Sequence, residues 1–226
     1  MIYHHIREGR FVSRPNRFIA HVEVDGQIEV CHVKNTGRCR ELLIPGTTVW
    51  IDESENPNRK TKYDLIAVDR GGMLVNMDSQ APNQVFGEWA EAGEFLPDVT
   101  AVRREYRFGE SRLDFCLETP KGLHLVEVKG VTLEENDAAR FPDAPTERGI
   151  KHILELQRAV KEGHDATLCF VVQMEGIRSV APNDLTHPAF GDALRKAALA
   201  GVRVCAYDCT VTPDRLKIRQ AVPVLL

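Results

Sequence analysis

Residues 103–129, RREYRFGESRLDFCLETPKGLHLVEVK, contain the pattern that decides the fold of this chain. Apolar and polar side chains alternate along much of this stretch, and a period of two residues is typical of β-strands. Residues 119–122, TPKG, favour a turn, because proline fixes its own φ and glycine suits the end of a tight turn. The stretch therefore predicts three consecutive strands, with a hairpin between the last two.

The predicted hairpin brings two carboxylates together. A tight loop at its turn places Asp114 directly opposite Glu127, and Lys129 points out of the same face as Glu127. Because like charges at facing positions destabilise an antiparallel pair, we expect a cation between the two carboxylates. Oxygen ligands suit Mg²⁺ or Mn²⁺ better than zinc. A solvated strand face with an ordinary Glu–Lys ion pair is the alternative interpretation of so short a pattern.

The composition indicates a globular chain without a strongly basic character. Of its 226 residues, 43% are hydrophobic and 27% are charged, and the formal net charge is −4. Any nucleic-acid surface must therefore be local. The cysteines form no CxxC pair, no apolar signal region opens the chain, and no apolar run approaches the ~20 residues of a membrane span. We expect a cytoplasmic protein with reduced thiols and no membrane contact, whose oligomeric state the sequence leaves open, a homodimer included.

Residues 1–82 predict a small β-barrel. Asp25-Gly26 between two alternating runs is a strong signal for a two-residue hairpin. Five short strands without a long helix are typical of the oligonucleotide-binding (OB) barrel. The predicted strands cover residues 17–24, 27–33, 48–51, 63–69 and 73–77.

Two basic clusters suggest that this barrel binds nucleic acid. The first contains Arg7, Arg10, Arg14 and Arg17, and the second contains Lys34, Arg38 and Arg40. Phe11 and Phe18 are interleaved with the first cluster, which would place base stacking beside phosphate contacts. In the alternative interpretation both phenylalanines are core residues and the arginines form a solvated edge. A zinc site at Cys31, His32 and Cys39 is disfavoured, because a fourth ligand at suitable spacing is missing. The candidate nucleic-acid contacts are Arg14, Arg17, Lys34, Asn35 and Arg38.

Residues 83–226 predict an α/β domain with a mixed sheet. The helix that opens with Pro145 carries Arg148, His152 and Glu155 on one side, and Asp143 is expected to cap it. Phosphate binding is one interpretation of Arg148 and His152, and surface ion pairing to Glu155 is the other. Besides the three strands already described, we predict helices at residues 83–94, 145–163 and 188–201, strands at 166–174, 202–207 and 215–219, and an acidic loop at 132–144.

The order of these elements, with Asp on one strand and Glu-x-Lys on the next, resembles the core of the PD-(D/E)xK nuclease superfamily. A narrower resemblance covers nearly the whole chain. The segments PNRFIAHVEVDG, CHVKNTGRCRELLIPGTTVW, SRLDF, LVEVKGVTL and FPDAPTERGIKHILEL are similar to the sugar fermentation stimulation protein A family. This resemblance implies an N-terminal OB-like five-stranded barrel, a restriction-endonuclease-like mixed-sheet domain, and DNA binding.

The resemblance also implies roles for individual residues. Asp114, Glu127 and Lys129 match the three core nuclease residues, and Asp114 and Glu127 would be the metal ligands. Leu113 stands where the superfamily name has proline. A further acid often lies on the preceding helix of these nucleases. The candidates for it, in order of preference, are Glu94, Glu91 and Glu88, with Glu105 on the first strand as a competitor.

The leading functional hypothesis is a DNA-binding protein with a Mg²⁺- or Mn²⁺-dependent nuclease site that hydrolyses a DNA or RNA backbone. Arg148 would hold a phosphate with help from the helix N-terminus, and His152 would assist. The rival hypothesis is a non-catalytic DNA-binding regulator of sugar-utilisation genes on a nuclease-like fold. A carbohydrate-binding barrel is disfavoured, because the chain has only 2 Trp and 4 Tyr.

Overall fold

A computed structural model describes residues 1–35 and 37–226. None of the helices in this part of the chain is long and apolar enough to cross a membrane. The barrel elements are β1 (Ile6–Asn16), β2 (Ile19–Val24), β3 (Gln27–His32), β4 (Thr48–Glu53), β5 (Tyr63–Arg70) and β6 (Met73–Asn76). The elements that follow are α1 (Ala81–Glu91), β7 (Ala101–Phe108), β8 (Ser111–Thr119), β9 (Gly122–Val131), β10 (Leu133–Glu135), β11 (Ala138–Phe141), α2 (Glu147–Lys161), β12 (Asp165–Val172), β13 (Ser179–Pro182), α3 (Pro188–Leu199), β14 (Arg203–Thr212) and β15 (Arg215–Val222).

The N-terminal strands form a closed barrel. They follow the order β3-β2-β1-β4-β5-β6, and β3 also pairs with β5, which closes β1–β5 into five strands. The OB-like prediction is therefore confirmed, although the five predicted strands are not the five strands that close the barrel. The first strand, β1, was not predicted, and β6 only extends the sheet beyond the closure. Charged residues, Gly9, Pro15 and a register shift after Phe11 break the alternation of β1.

The second domain is a mixed sheet covered on both faces. Its strands follow the order β15-β14-β12-β9-β8-β7, where β9, β12 and β14 run parallel and β7, β8 and β15 pair antiparallel with their neighbours. On one face, Val85 and Phe86 of α1 share a buried cluster with Phe115. On the other face, Ile153 of α2 and Leu194 of α3 belong to a separate buried cluster. The predicted mixed-sheet domain is thus confirmed.

Two local predictions for this domain were wrong. Residues 132–144, predicted as an acidic loop, contain the hairpin β10–β11. On its other side, β11 pairs in parallel with β13. The cap of α2 is Thr146, not Asp143, since the Thr146 hydroxyl accepts a hydrogen bond from the Gly149 N–H at 3.0 Å. The side chain of Asp143 instead lies against Gly37 of the barrel.

The division of the chain differs in detail from residues 1–82 and 83–226. The last barrel strand ends at Asn76 and α1 begins at Ala81, so the predicted boundary falls inside a helix. The first residues also belong with the second domain. The Met1 ammonium group bonds Glu88 at 2.6 Å, and Ile2 bridges to Arg215.

A buried polar network joins the two domains. The Gln173 side-chain amide, at the end of β12, donates to the Asn76 carbonyl (3.1 Å), the Asn76 side chain (2.9 Å) and the Asp78 carbonyl (2.9 Å). The backbone N–H of Asn76 donates back to the Gln173 carbonyl at 2.9 Å. Because these three residues are at most 2% exposed, water cannot replace the bonds. The network therefore fixes the orientation of the barrel on the sheet domain.

Replacing Gln173 tests this joint. We expect Gln173→Ala to lower the free energy of unfolding by about 2–3 kcal/mol, because it leaves buried carbonyl groups without a donor. Gln220→Ala, at an exposed position of β15, is the matched control and should change stability by less than about 0.5 kcal/mol. Urea unfolding followed by circular dichroism measures both. Equal stability of the two variants would contradict a supporting role for Gln173.

Candidate active site

The hairpin of β8 and β9 has the predicted register. Residues pair from Phe115–Val126 to Thr119–Gly122, and the ladder stops just before Asp114 and Glu127. Beyond it, the N–H of Val128 donates to Asp114 Oδ2 at 2.8 Å instead of to a backbone carbonyl. The strands separate here because a carboxylate occupies the place of a backbone acceptor.

Most of the predicted catalytic residues, together with His152, line one open cavity at this point. Its volume is about 240 Å³, and its walls come from the first turns of α1 and α2 and from β8 and β9. The predicted residues that it brings together are Asp114, Glu127, Lys129, Arg148 and His152.

Glu127 is held by donors at only one of its oxygens. Lys129 Nζ and His152 Nδ1 both bond Oε1, whereas Oε2 is buried and has no hydrogen-bond partner in the described part of the chain. Burial alone would raise the pKa of this carboxyl, but the hydrogen bond from His152 and the charge of Lys129 outweigh it and lower the pKa. Glu127 is therefore an ionised carboxylate with one unsatisfied oxygen.

Opposing effects act on the pKa of Asp114. Burial, and then the charge of Glu127, raise its pKa to about 6, against the hydrogen bonds that the carboxylate accepts and the charge of Lys129. Those bonds come from Val128 and from the Asn83 side chain, which donates to Oδ1 at 2.8 Å. Ionising both carboxylates is therefore unfavourable unless a cation joins them.

His152 links Glu127 to Arg148. Arg148 Nε donates to His152 Nε2 at 3.3 Å, so Nε2 is the acceptor of the ring and the proton lies on Nδ1, facing Glu127. The ion pairs with Glu155 that we weighed do not occur in the described residues. The Glu155 carboxylate instead lies at the turn between β7 and β8, where the Glu110 N–H approaches it at 3.4 Å.

These donors fit a hard cation with few protein ligands. Within residues 1–35 and 37–226, no three His, Cys, Asp or Glu side chains are grouped to hold a metal ion. The cavity instead offers Asp114 and the free Oε2 of Glu127, so that water and a phosphate would have to complete the shell. Mg²⁺ binds in this way, through one or two carboxylates plus water and substrate.

The prediction that Glu94 belongs to this site is wrong. Glu94 lines a different cavity, together with Met1 and Arg215, beyond the C-terminal end of α1. The residue that α1 directs at Asp114 is Asn83, in the first turn, and it was not predicted because a carboxylate was expected at this position. At ~1.5 Å per residue, the last turn of α1 lies about 12 Å further along the axis. The other candidate acids are also paired elsewhere: Glu91 with Arg104 (3.1 Å), Glu88 with the N-terminus (2.6 Å) and Glu105 with Arg112 (2.7 Å).

Two of the predicted barrel contacts have structural roles instead. The Lys34 ammonium group lies between Asp78 (2.8 Å) and Asp64 (3.4 Å), and these carboxylates neutralise it. The guanidinium group of Arg14 is occupied by backbone carbonyls at 2.8–2.9 Å. The residues that supply them are Arg17, Asn35, Gly37 and Arg38. Arg14 and Lys34 are therefore not free to contact a phosphate.

The remaining barrel candidates lie where a ligand can reach them. Arg17 and Arg38 are exposed, and the Arg17 guanidinium lies 4.6 Å from the centre of the Phe18 ring. Phe11 is a core residue, as the alternative interpretation predicted, whereas Phe18 is 43% exposed and stays a candidate for base stacking. Asn35 lines a second cavity beside the candidate active site.

Comparison with known proteins divides the chain into the same two domains as the structure. The model of the SfsA N-terminal OB domain matches residues 12–77, and that of the sugar fermentation stimulation protein RE domain matches residues 80–215. A "Sugar fermentation stimulation protein homolog" of Desulfitobacterium hafniense (strain Y51) is 56% identical over 226 residues, covering 100% of this chain and 99% of that protein. The homolog of Ruminiclostridium cellulolyticum is 52% identical and is covered over 100% of both chains.

A solved structure extends the likeness to three dimensions. The structure of Pyrococcus furiosus SfsA in complex with Ca²⁺ matches with a TM-score of 0.90 and 29% identity, over 100% of this chain and 98% of that one. Both domains and the order in which they occur are therefore shared along the full length. From the two matched domain models, the full-length relatives and this structure, we conclude that the chain belongs to the sugar fermentation stimulation protein (SfsA) family.

Proposed function

We propose that this protein is a metal-dependent nuclease that binds DNA and hydrolyses its phosphodiester backbone. The observation that carries the proposal is the buried Oε2 of Glu127, which has no partner among the described residues and lies in a cavity that Glu127 shares with Asp114 and Lys129. Mg²⁺ or Mn²⁺ fits the two carboxylates. The Pyrococcus furiosus relative is described in complex with Ca²⁺, which also prefers oxygen ligands.

Asp114 and Glu127 would hold the metal ion, which supplies Lewis acidity towards a phosphate oxygen and lowers the pKa of a bound water. Lys129, bonded to Glu127 Oε1, would place its ammonium charge beside the negative charge that develops on the phosphate oxygens. Arg148 and the free N–H groups in the first turn of α2 would hold the substrate phosphate. His152 would act by orienting Glu127 so that Oε2 stays available.

Nuclease assays of single variants test the proposal. With labelled DNA and Mn²⁺ or Mg²⁺, we expect Asp114→Asn and Lys129→Ala to lower the cleavage rate at least ~100-fold, since each removes charge stabilisation at the reacting phosphate. Glu94→Gln is the matched control and should keep most of the parental rate, because Glu94 lines a different cavity. The readout is product formation on a denaturing gel, with labelled RNA as a second substrate.

The outcome also separates the enzyme from its rival. Cleavage by the parent that is lost in both variants, with DNA binding retained, supports the nuclease. DNA binding without cleavage under either metal would instead support the non-catalytic regulator. Equal loss in Glu94→Gln would contradict the assignment of the site.

The pH dependence of stability tests the electrostatics without substrate. The pKa of Asp114 is raised in the folded protein, so its ionised form destabilises the fold above pH about 6, and this cost falls as the pH drops towards the ordinary value of 3.8. In EDTA, the parent should therefore gain about 1 kcal/mol relative to Asp114→Asn between pH 7 and pH 5. Urea unfolding of both proteins at the two pH values measures this difference. A difference that does not change with pH would place the Asp114 pKa near its ordinary value.

The exposed arginines of the barrel give a further test. We expect Arg38→Glu to weaken DNA binding and to reduce the slope of log K against log salt by about one, as the loss of one phosphate contact requires. Arg107→Glu, at an exposed position of the edge strand β7, is the control for a charge reversal elsewhere. Fluorescence anisotropy at several salt concentrations measures both. An unchanged slope for Arg38→Glu, or an equal change for Arg107→Glu, would remove this loop from the binding surface.

A further inference from the structure

A second cavity adjoins the candidate active site and has no role in the proposed chemistry. Its volume is about 120 Å³, and it shares two wall residues, Ser79 and Gly130, with the cavity that holds Glu127. Both domains build it. Asn35 comes from the barrel loop, and Arg140 and Asp143 come from the sheet domain. A strand that leaves the catalytic carboxylates along this wall therefore enters the second cavity next.

Arg140 gives this cavity a free positive charge. It lies on β11, which is held between β10 and β13, and it is only partly exposed. In residues 1–35 and 37–226, no carboxylate lies within 4.0 Å of its guanidinium group, whereas Arg59 and Arg70 are each paired with one. An unpaired, partly buried guanidinium group is suited to bind a phosphate or the polar edge of a base.

The other lining groups favour a heterocyclic base over a lone anion. The Asn35 amide and the Asp143 carboxylate supply hydrogen-bonding groups, and Asp143 would repel a second negative charge. The Phe141 ring completes the lining and is fixed from behind by Phe170 at 5.6 Å and Phe190 at 5.1 Å between ring centres. A cation, polar edges and an aromatic surface together match one nucleotide.

The walls are rigid and the space is small. At Gly130, a Cβ atom would come within 2.6 Å of both Gln173 Oε1 and Pro82 Cγ, so the shared wall is packed as tightly as glycine allows. Gln173 is itself fixed by the buried joint between the domains. The barrel side is equally close, since a Cβ atom on Gly37 would come within 2.1 Å of Asp143 Oδ2. The cavity has room for one base but not for a base pair.

We infer that this cavity is the subsite for one unpaired nucleotide next to the scissile phosphate, so that the substrate is a single strand or a frayed end. The inference rests on the proposed phosphodiester hydrolysis at the adjoining carboxylates. An intact duplex must first release a base from its stack and its pair to fill the subsite, which costs a few kcal/mol. Arg140 is thus a specificity residue for single-stranded substrate, and its side chain does not touch the reacting atoms.

Binding measurements test the subsite independently of catalysis. In a Lys129→Ala background with Mn²⁺, we expect a fluorescent single-stranded 12-mer DNA to bind about 10-fold tighter than the blunt duplex of the same sequence. Adding Arg140→Ala should weaken single-strand binding about 10-fold and leave duplex binding nearly unchanged, which removes the preference. Arg140→Lys should restore part of it, and Arg107→Ala should keep it in full. Thermal unfolding of each variant shows whether it is folded.

Cleavage assays then separate the two proposals. The parent should cleave the single strand faster than the blunt duplex, and Arg140→Ala should raise KM for the single strand more than it lowers kcat. Equal binding of single strand and duplex, or a preference that survives Arg140→Ala, overturns the subsite even if the protein cleaves DNA. An absence of cleavage from every substrate contradicts the proposed nuclease, while the binding preference still decides whether the subsite exists.

Discussion

The orientation of the two domains depends on the buried bonds between Gln173 and the segment from Asn76 to Asp78. This segment leaves the barrel and leads directly into α1, whose first turn contacts Asp114 through Asn83. A shift of the barrel would therefore move one wall of the candidate active site. Lys34 strengthens the same joint, since its ammonium group lies on the buried Asp78 carboxylate. The barrel is thus a structural part of the candidate active site.

The polar groups at the joint and at the site differ in how completely they are satisfied. At the joint, the Gln173 amide and the Asp78 carboxylate both have partners, as buried polar groups normally do. At the site, Glu127 Oε2 has none in the described residues, although the same side chain receives two donors at Oε1. A buried acceptor without a partner costs about 1–3 kcal/mol. Such a cost concentrated at one oxygen supports a ligand at that position.

The sequence predicted the hairpins that have a clear turn signal. The Asp25-Gly26 turn and the TPKG turn each fixed the register of a hairpin, so Asp114 and Glu127 could be placed together before the structure was known. Elements without such a signal, or with distant partners, were missed. The short strand β11 pairs with β13, some forty residues later, and neither has enough alternation to be recognised alone. The roles of Arg14 and Lys34 were missed for the same reason, because residues distant in the sequence satisfy their charges.

The electrostatics of Asp114 bear on the choice between an enzyme and a pure binding protein. Raising its pKa from 3.8 to about 6 makes the ionised form less favourable by about 3 kcal/mol in the folded protein at pH 7. A protein that only binds DNA gains nothing from this cost, since two carboxylates next to a polyanion also weaken binding. A divalent cation reverses both effects, because it offsets the repulsion between the carboxylates and attracts the phosphate. The free-energy cost of ionising Asp114 is therefore an argument for metal-dependent chemistry at this hairpin.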